Sequence, residues 1–284
     1  MNNFKFQKNF LINNGYLILN FSNKSIQILN QIRVQTLTIL KKFNSKITSL
    51  ETCHNFLNDK EFENAVYIVT KMMWKKDFFV KLLKSEIKQL TYFFGTDLDF
   101  QSYPHIRAAR PGALLDNVGF HRDIDYGASI YENSLWIPIT KIDRGAGMSL
   151  LSESIFKGYN GYKFFKLKSY KKNSKKNISG FPHTINNVYI KNSLRKKMIE
   201  PRIRKNQYLI IPQFLVHGSE INSSKFTRWT FDVRVCNNLY NDPKSSLERK
   251  RKKILKNKGN YPYYRPLTRS ATTILAGKFL NIVS

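Results

Sequence analysis

Three side chains in this sequence have the types to hold one metal ion: His121 and Asp123, within Gly119-Phe120-His121-Arg122-Asp123, and the far downstream His217. In an extended strand alternate side chains point the same way, so His121 and Asp123 are expected on one face. With His217, two imidazoles and a carboxylate would take one side of an octahedral ion and leave the other positions open to reactants, a ligand set suited to ferrous iron. The bare His-x-Asp triplet is a weak signal, because either histidine alone reads more simply as a core or turn residue with a satisfied ring. The downstream context strengthens it. Tyr208 to Val216 reads as a buried apolar strand that delivers His217, followed by Gly218-Ser219 and a polar turn. The chain then returns as a strand from Arg228 to Val235, in which alternation puts Arg228 and Thr230 on one face and Trp229, Phe231 and Val233 on the other. An inward-facing arginine needs an anion, and its planar fork matches a carboxylate.

Rival assignments are weaker. Asp125 lies four residues from His121, next to Gly127 where the strand is expected to end, so Asp123 is the preferred carboxylate. His54, His105 and His183 lack a strand-paired acid and read as structural or surface residues. Two histidines, an aspartate and water also suit hydrolytic zinc. A hydrolase has no need of a buried arginine one strand-return from its metal.

These residues resemble the Fe(II)/2-oxoglutarate-dependent dioxygenases, and within them the phytanoyl-CoA dioxygenase-like branch that includes antibiotic and carbohydrate biosynthesis oxygenases. The resemblance covers about residues 104 to 236. It rests on the His-x-Asp, on a Trp-containing strand at Leu135-Trp136-Ile137-Pro138-Ile139, and on a Gly-rich segment with a Ser-rich end from Arg144 to Ser154. The distal His217-Gly218-Ser219 and the pair Arg228 and Thr230 complete it. The resemblance implies that His121, Asp123 and His217 bind Fe(II), and that Arg228, helped by Thr230, holds the distal carboxylate of 2-oxoglutarate. No further residue is implied in catalysis. It also implies a reaction with molecular oxygen that releases succinate and CO2 and hydroxylates a substrate. One departure falls on the substrate side: Leu151-Ser152-Glu153-Ser154 lacks the proline and histidine that usually end this segment. Arg107, Arg110, Tyr126 and Trp136 lie near the motif and are candidate substrate contacts, with a structural role equally open to Trp136.

The elements that must position these groups follow from the apolar periodicity. Asn23 to Phe43 carries Ile26, Leu29, Ile32, Leu37 and Leu40 at helical intervals, and Leu57 to Phe94 is similar, with Met72, Met73 and Trp74 expected in the core. From Tyr103 the pattern changes to short apolar strands broken by Gly, Pro and Asn. The expectation is an α+β protein with a mainly β core, a double-stranded β-helix (jelly roll, cupin-like) buttressed by N-terminal helices. It is read as a single domain over 1–284, with a helical N-terminal region over 1–100 and a β-helix core over 101–240 that carries a long insertion, 157–207. A basic C-terminal extension, 241–284, completes it. Within the insertion, Val188-Tyr189-Ile190 is expected to form strand.

Composition bounds the function. At 284 residues, 42% hydrophobic and 14% aromatic, the chain can bury a sizeable core. No apolar stretch approaches the ~20 residues of a membrane span, and the N-terminus lacks a signal peptide's apolar core, so a cytoplasmic location is expected. Cys53 and Cys236 sit in neither a redox nor a zinc spacing and are expected as free thiols. The net charge of +29 concentrates at Lys166 to Lys176, Arg195 to Lys205 and Glu248 to Lys258, which suits polyanions or anionic substrates but also a merely lysine-rich composition. Two function classes therefore stand. One is an oxygenase hydroxylating a small molecule, with anionic and sugar-type metabolites as candidates. The other is a basic nucleic-acid- or polyanion-binding protein with a vestigial metal site, which is not favoured because no nucleic-acid module is recognisable.

Overall fold

The helical periodicity expected between Asn23 and Phe94 is realised as four helices, in a computed structural model that describes residues 7, 10–11, 13–102, 104–126, 128–152, 196–237 and 264–268. The first, α1 (Asn23–Phe43), starts at Ser22, whose side chain accepts from the Ser25 amide. The expected helical run from Leu57 divides into α2 (Asp59–Lys75), α3 (Phe78–Ser85) and α4 (Ile87–Phe94). Asn58 and Glu61 close a capping box at the start of α2. The break after α2 falls at Asp77, which takes the left-handed conformation (φ 50°) that aspartate tolerates better than most residues. Met73 is buried, and Met72 and Trp74 pack against the same core.

Among the described residues nine strands follow the expected β pattern, and they divide between two sheets. They are β1 (Leu17–Asn20), β2 (Leu98–Gln101), β3 (His105–Ala109), β4 (Glu132–Pro138), β5 (Ser149–Leu151), β6 (Gln207–Pro212), β7 (Val216–Gly218), β8 (Arg228–Asn237) and β9 (Tyr264–Thr268). The large antiparallel sheet has the order β1-β6-β4-β8-β2-β9, with β3 also paired to β8. Three of its strands lie where none was anticipated: β1 and most of β2 inside the helical region, and β9 inside the basic extension. The small sheet pairs β5 with β7 and is widened by the single bridges Leu150↔Ile199 and His121↔His217.

Strand alternation sorts the large sheet into two faces. Trp229, Phe231, Val233 and Val235 of β8 join Ile32, Phe62, Val69 and Phe79 of the helices in the main core. On the opposite face Trp136, Leu209 and Ile211 meet Met148, Leu150 and Leu215 in a second apolar cluster. The large sheet is thus sandwiched between a helical layer and the small sheet, which is how the α+β, helix-buttressed jelly roll buries both faces. The strand expected from Tyr208 to Val216 is two strands, because Pro212 can donate no ladder hydrogen bond and the chain turns at Gln213-Phe214 to cross between the sheets. Val188-Tyr189-Ile190 lies outside the described residues, as does most of the 157–207 insertion.

Candidate metal and diacid site

His121 and Asp123 converge without the strand that was expected to align them. His121 forms a two-way backbone bridge with His217, the two N–H···O bonds measuring 2.8 and 3.0 Å, while Asp123 opens a 3-10 turn, Asp123–Tyr126. Gly218 makes this close approach possible. A Cβ there would sit 2.8 Å from the backbone N and Cα of Phe120, contacts that real side chains do not tolerate. His121, Asp123 and His217 offer ligand atoms that all lie within 4.8 Å of one another, the one such group among the described residues.

Both imidazoles are locked in the form a metal requires. Nδ1 of His121 lies 2.7 Å from the Gly119 carbonyl and Nδ1 of His217 lies 2.8 Å from the Leu215 carbonyl. A carbonyl can only accept, so each Nδ1 carries a proton, the arrangement in which Nε2 can serve as a metal ligand. The two Nε2 atoms lie 3.6 and 3.9 Å from the two Asp123 oxygens. Burial and the neighbouring His121 push His217 down to about 4, so its ring is neutral at physiological pH. Burial pushes Asp123 the other way, but the Arg234 guanidinium and the two imidazoles outweigh it and hold the carboxylate well below its usual range.

Arg228 is buried on the inner face of β8. Its Nη1 donates to the carbonyls of Ala146 (2.7 Å) and Gly147 (3.2 Å) and to the Ser219 hydroxyl (3.1 Å). The guanidinium lies 5.9 Å from the Trp136 ring centre. Burial, with Arg107 nearby, pulls it down to about 10 against the pull of Asp232, which still leaves it charged near neutrality. Its Nε is buried with no partner, and among the described residues no carboxylate pairs with it. Thr230 shares this face, is fully buried and aims its hydroxyl at the Arg107 carbonyl 3.5 Å away.

The four residues expected to touch substrate are dispersed. Arg107 stands opposite Thr230 on the inner face and is ion-paired to Asp232. Trp136 is 1% exposed and belongs to the apolar cluster beside Arg228. Arg110 is turned toward the helices, paired with Asp59 and Asp116 and stacked on Phe62. Tyr126 ends the 3-10 turn, and its side chain, like that of Asp125, lies outside the described residues. His54 bonds Thr227 away from the site, and both cysteines are free and buried. Of the three basic clusters, only residues 196–205 are described. No helix among the described residues is long and apolar enough to cross a membrane.

Sequence reasoning missed four polar residues. Asp232 and Arg234 continue the alternation that selects Arg228 and Thr230, so a signal for them existed. Gln213 and Glu200 had none. Gln213 sits at the corner between sheets; taken with its amide nitrogen toward Asp123, whose oxygens can only accept, its oxygen accepts from the Ser134 amide and hydroxyl. Glu200 accepts from the amides of Gly145 and Gly147, at the loop whose carbonyls hold Arg228.

No family model matches the sequence, and no curated protein does. Solved structures do match. The non-haem, α-ketoglutarate-dependent epimerase SnoN from nogalamycin biosynthesis aligns over 94% of this chain and 99% of its own, with 9% identity and a TM-score of 0.52. The likeness is one of fold. EvdO2 of Micromonospora carbonacea var. aurantiaca, in complex with 2-oxoglutarate, shares this fold over 82% of this chain and 90% of its own, with 10% identity and a TM-score of 0.50. At such identities the likeness is one of architecture, the cupin-like jelly roll, and chemistry has to be argued from the site.

Proposed function

We propose that this protein is an Fe(II)- and 2-oxoglutarate-dependent oxygenase that hydroxylates a small metabolite, with anionic and sugar-type compounds as the substrate classes to test first. The observation that carries the proposal is a buried guanidinium whose Nε has no hydrogen-bond partner and which no carboxylate among the described residues pairs with, bonded to Ser219 two residues beyond His217 of the His-Asp-His group. The donor set fits the metal, since neutral imidazole and carboxylate are suitable ligands for Fe(II) and three of them on one side leave room for a chelating cosubstrate. The unmatched Nε fits a carboxylate, because a buried donor left without a partner costs about 1–3 kcal/mol that an incoming acceptor relieves.

In this reading His121, Asp123 and His217 hold the iron, and Arg228 with Thr230 holds the distal carboxylate of 2-oxoglutarate. Bound, iron and 2-oxoglutarate supply the oxidising chemistry, with molecular oxygen consumed and succinate and CO2 released. The chain supplies orientation and dryness. Trp136, Leu209, Ile211 and Leu150 wall the interior with apolar surface, which strengthens the Arg228 charge toward an anion. Arg107, on the rung opposite Thr230, lines the same inner face with its charge matched to Asp232.

The test is direct. Purified protein incubated with Fe(II), 2-oxoglutarate and oxygen forms succinate, faster when the correct substrate is added. Failure of 2-oxoglutarate to bind under anaerobic conditions with Mn(II) present would sink the proposal.

A further inference from the structure

We infer that Arg234 and Gln213 are positioning residues that fix the orientation of the Asp123 carboxylate, one at each oxygen, before any metal arrives. The inference rests on the reading of Asp123 as a metal ligand. Arg234 Nη2 donates to Asp123 Oδ1 at 2.9 Å, and the Gln213 amide faces Oδ2, to which it donates once its nitrogen is assigned to that side, since a carboxylate can only accept. Both holders hang from one rung of the large sheet. Ser134 of β4 is the register partner of Arg234 on β8, and the same Ser134 anchors the Gln213 oxygen through its amide (3.1 Å) and hydroxyl (2.8 Å). The Gln101 side chain accepts from the Arg234 amide at 3.3 Å and ties the rung to β2.

Asp123 needs this support more than the histidines do. Each imidazole is fixed through its own Nδ1 to a backbone carbonyl two residues away, and the two backbones are bridged to each other. Asp123 belongs to no strand and opens a short 3-10 turn, so its own backbone leaves the carboxylate free to rotate. The sheet rung supplies the orientation that the turn does not. Partners of this kind, one step out from the ligands, set metal affinity through geometry, and losing one costs roughly 10–100-fold.

The Arg234 charge by itself works against a cation, and that separates positioning from plain electrostatics. Full-length apo protein is titrated anaerobically with Mn(II), with free ion read by EPR, and with Co(II), read by its visible spectrum. The variants are R234K, R234Q, Q213L and D123A, each checked for folding by circular dichroism. We expect R234Q and R234K both to weaken Mn(II) binding by roughly 10–100-fold, since lysine keeps the charge but not the fork. Q213L is expected to weaken it less, and R234K to change the saturated Co(II) spectrum, a signature that a merely structural role would not move. Tighter binding in R234Q, or affinities within threefold of wild type in R234K and Q213L, would overturn the inference alone. Wild-type protein that binds neither ion, or D123A with unchanged affinity, would overturn the metal reading together with it.

Discussion

Two guanidiniums project from one face of β8, six residues apart, and they are used in opposite ways. Arg234 is matched to an acid of the chain, Asp123, on the rung it shares with Ser134. Among the described residues Arg228 has no acid: its Nη1 is held by two carbonyls and a hydroxyl, which orient it without neutralising it, and its Nε is buried without a partner. The difference is one of partner, since both side chains are secluded and both arise from the same alternation. A charge already neutralised within the chain belongs to the scaffold, and one left without a counter-ion marks where an external anion belongs.

The largest effect expected from breaking this contrast is at the unmatched guanidinium. In R228A the 2-oxoglutarate Kd measured by anaerobic calorimetry with Mn(II) should rise by roughly 100-fold or more, the cost of removing one member of a buried, hydrogen-bonded charge pair. The Mn(II) Kd should stay within about threefold. R228K should fall between, because a point charge replaces a fork. Equal losses of metal and diacid would place Arg228 with the structural arginines.

Titration of His217 sharpens the contrast from the metal side. Its folded value, about 4, lies below the ordinary 6.5, so the unfolded chain binds the proton more tightly than the folded one. Apo stability is therefore full above about pH 6.5 and falls as pH drops toward 4, by on the order of 3 kcal/mol. Urea denaturation of apo protein across this window should follow that slope, and H217N should flatten it. A slope unchanged in H217N would mean that another group carries the acid sensitivity.

The two sheets differ as much as the two arginines. The large sheet anchors Arg228 in a ten-residue strand covered on both faces, whereas His121 and His217 meet on a small sheet extended by single bridges. The metal end therefore depends on close backbone approach. G218A, whose added methyl meets the Phe120 backbone, should push the His121 segment off β7 and weaken Mn(II) binding by roughly tenfold, near the lower cost of a lost supporting partner. An unchanged Mn(II) Kd would show that the bridge is dispensable.

Much of this was legible in the sequence, and the reasons are particular. The span of α1 and the faces of β8 follow from periodicity, because burial on one side imposes spacing on the apolar residues. The three residues that the fold brings together, His121, Asp123 and His217, were legible as types, but not the strand expected to align His121 with Asp123, since a bridge and a 3-10 turn leave no periodic trace. The division of Tyr208 to Val216 at Pro212 was readable only as a proline near a strand end. Gln213 and Glu200 carried no signal, since both act through contacts far away in sequence. Arg110 shows the limit of proximity: close to the motif along the chain, it turns to Asp59 and Phe62 on α2 instead.

The smallest effect expected comes from Glu200, which bears on Arg228 only through a loop. Its carboxylate accepts from the Gly145 and Gly147 amides at 3.1 and 3.0 Å, and the carbonyls of Ala146 and Gly147 in that same turn receive Arg228 Nη1. Because Glu200 is exposed, each of these bonds competes with water, and their loss in E200A should cost about 1 kcal/mol of diacid binding, roughly fivefold in Kd. E200Q keeps an acceptor for the amides and should stay closer to wild type, with Mn(II) affinity untouched in both. An E200Q loss as large as that of E200A would mean that the Glu200 charge, acting on Arg228 at a distance, matters more than the turn it holds.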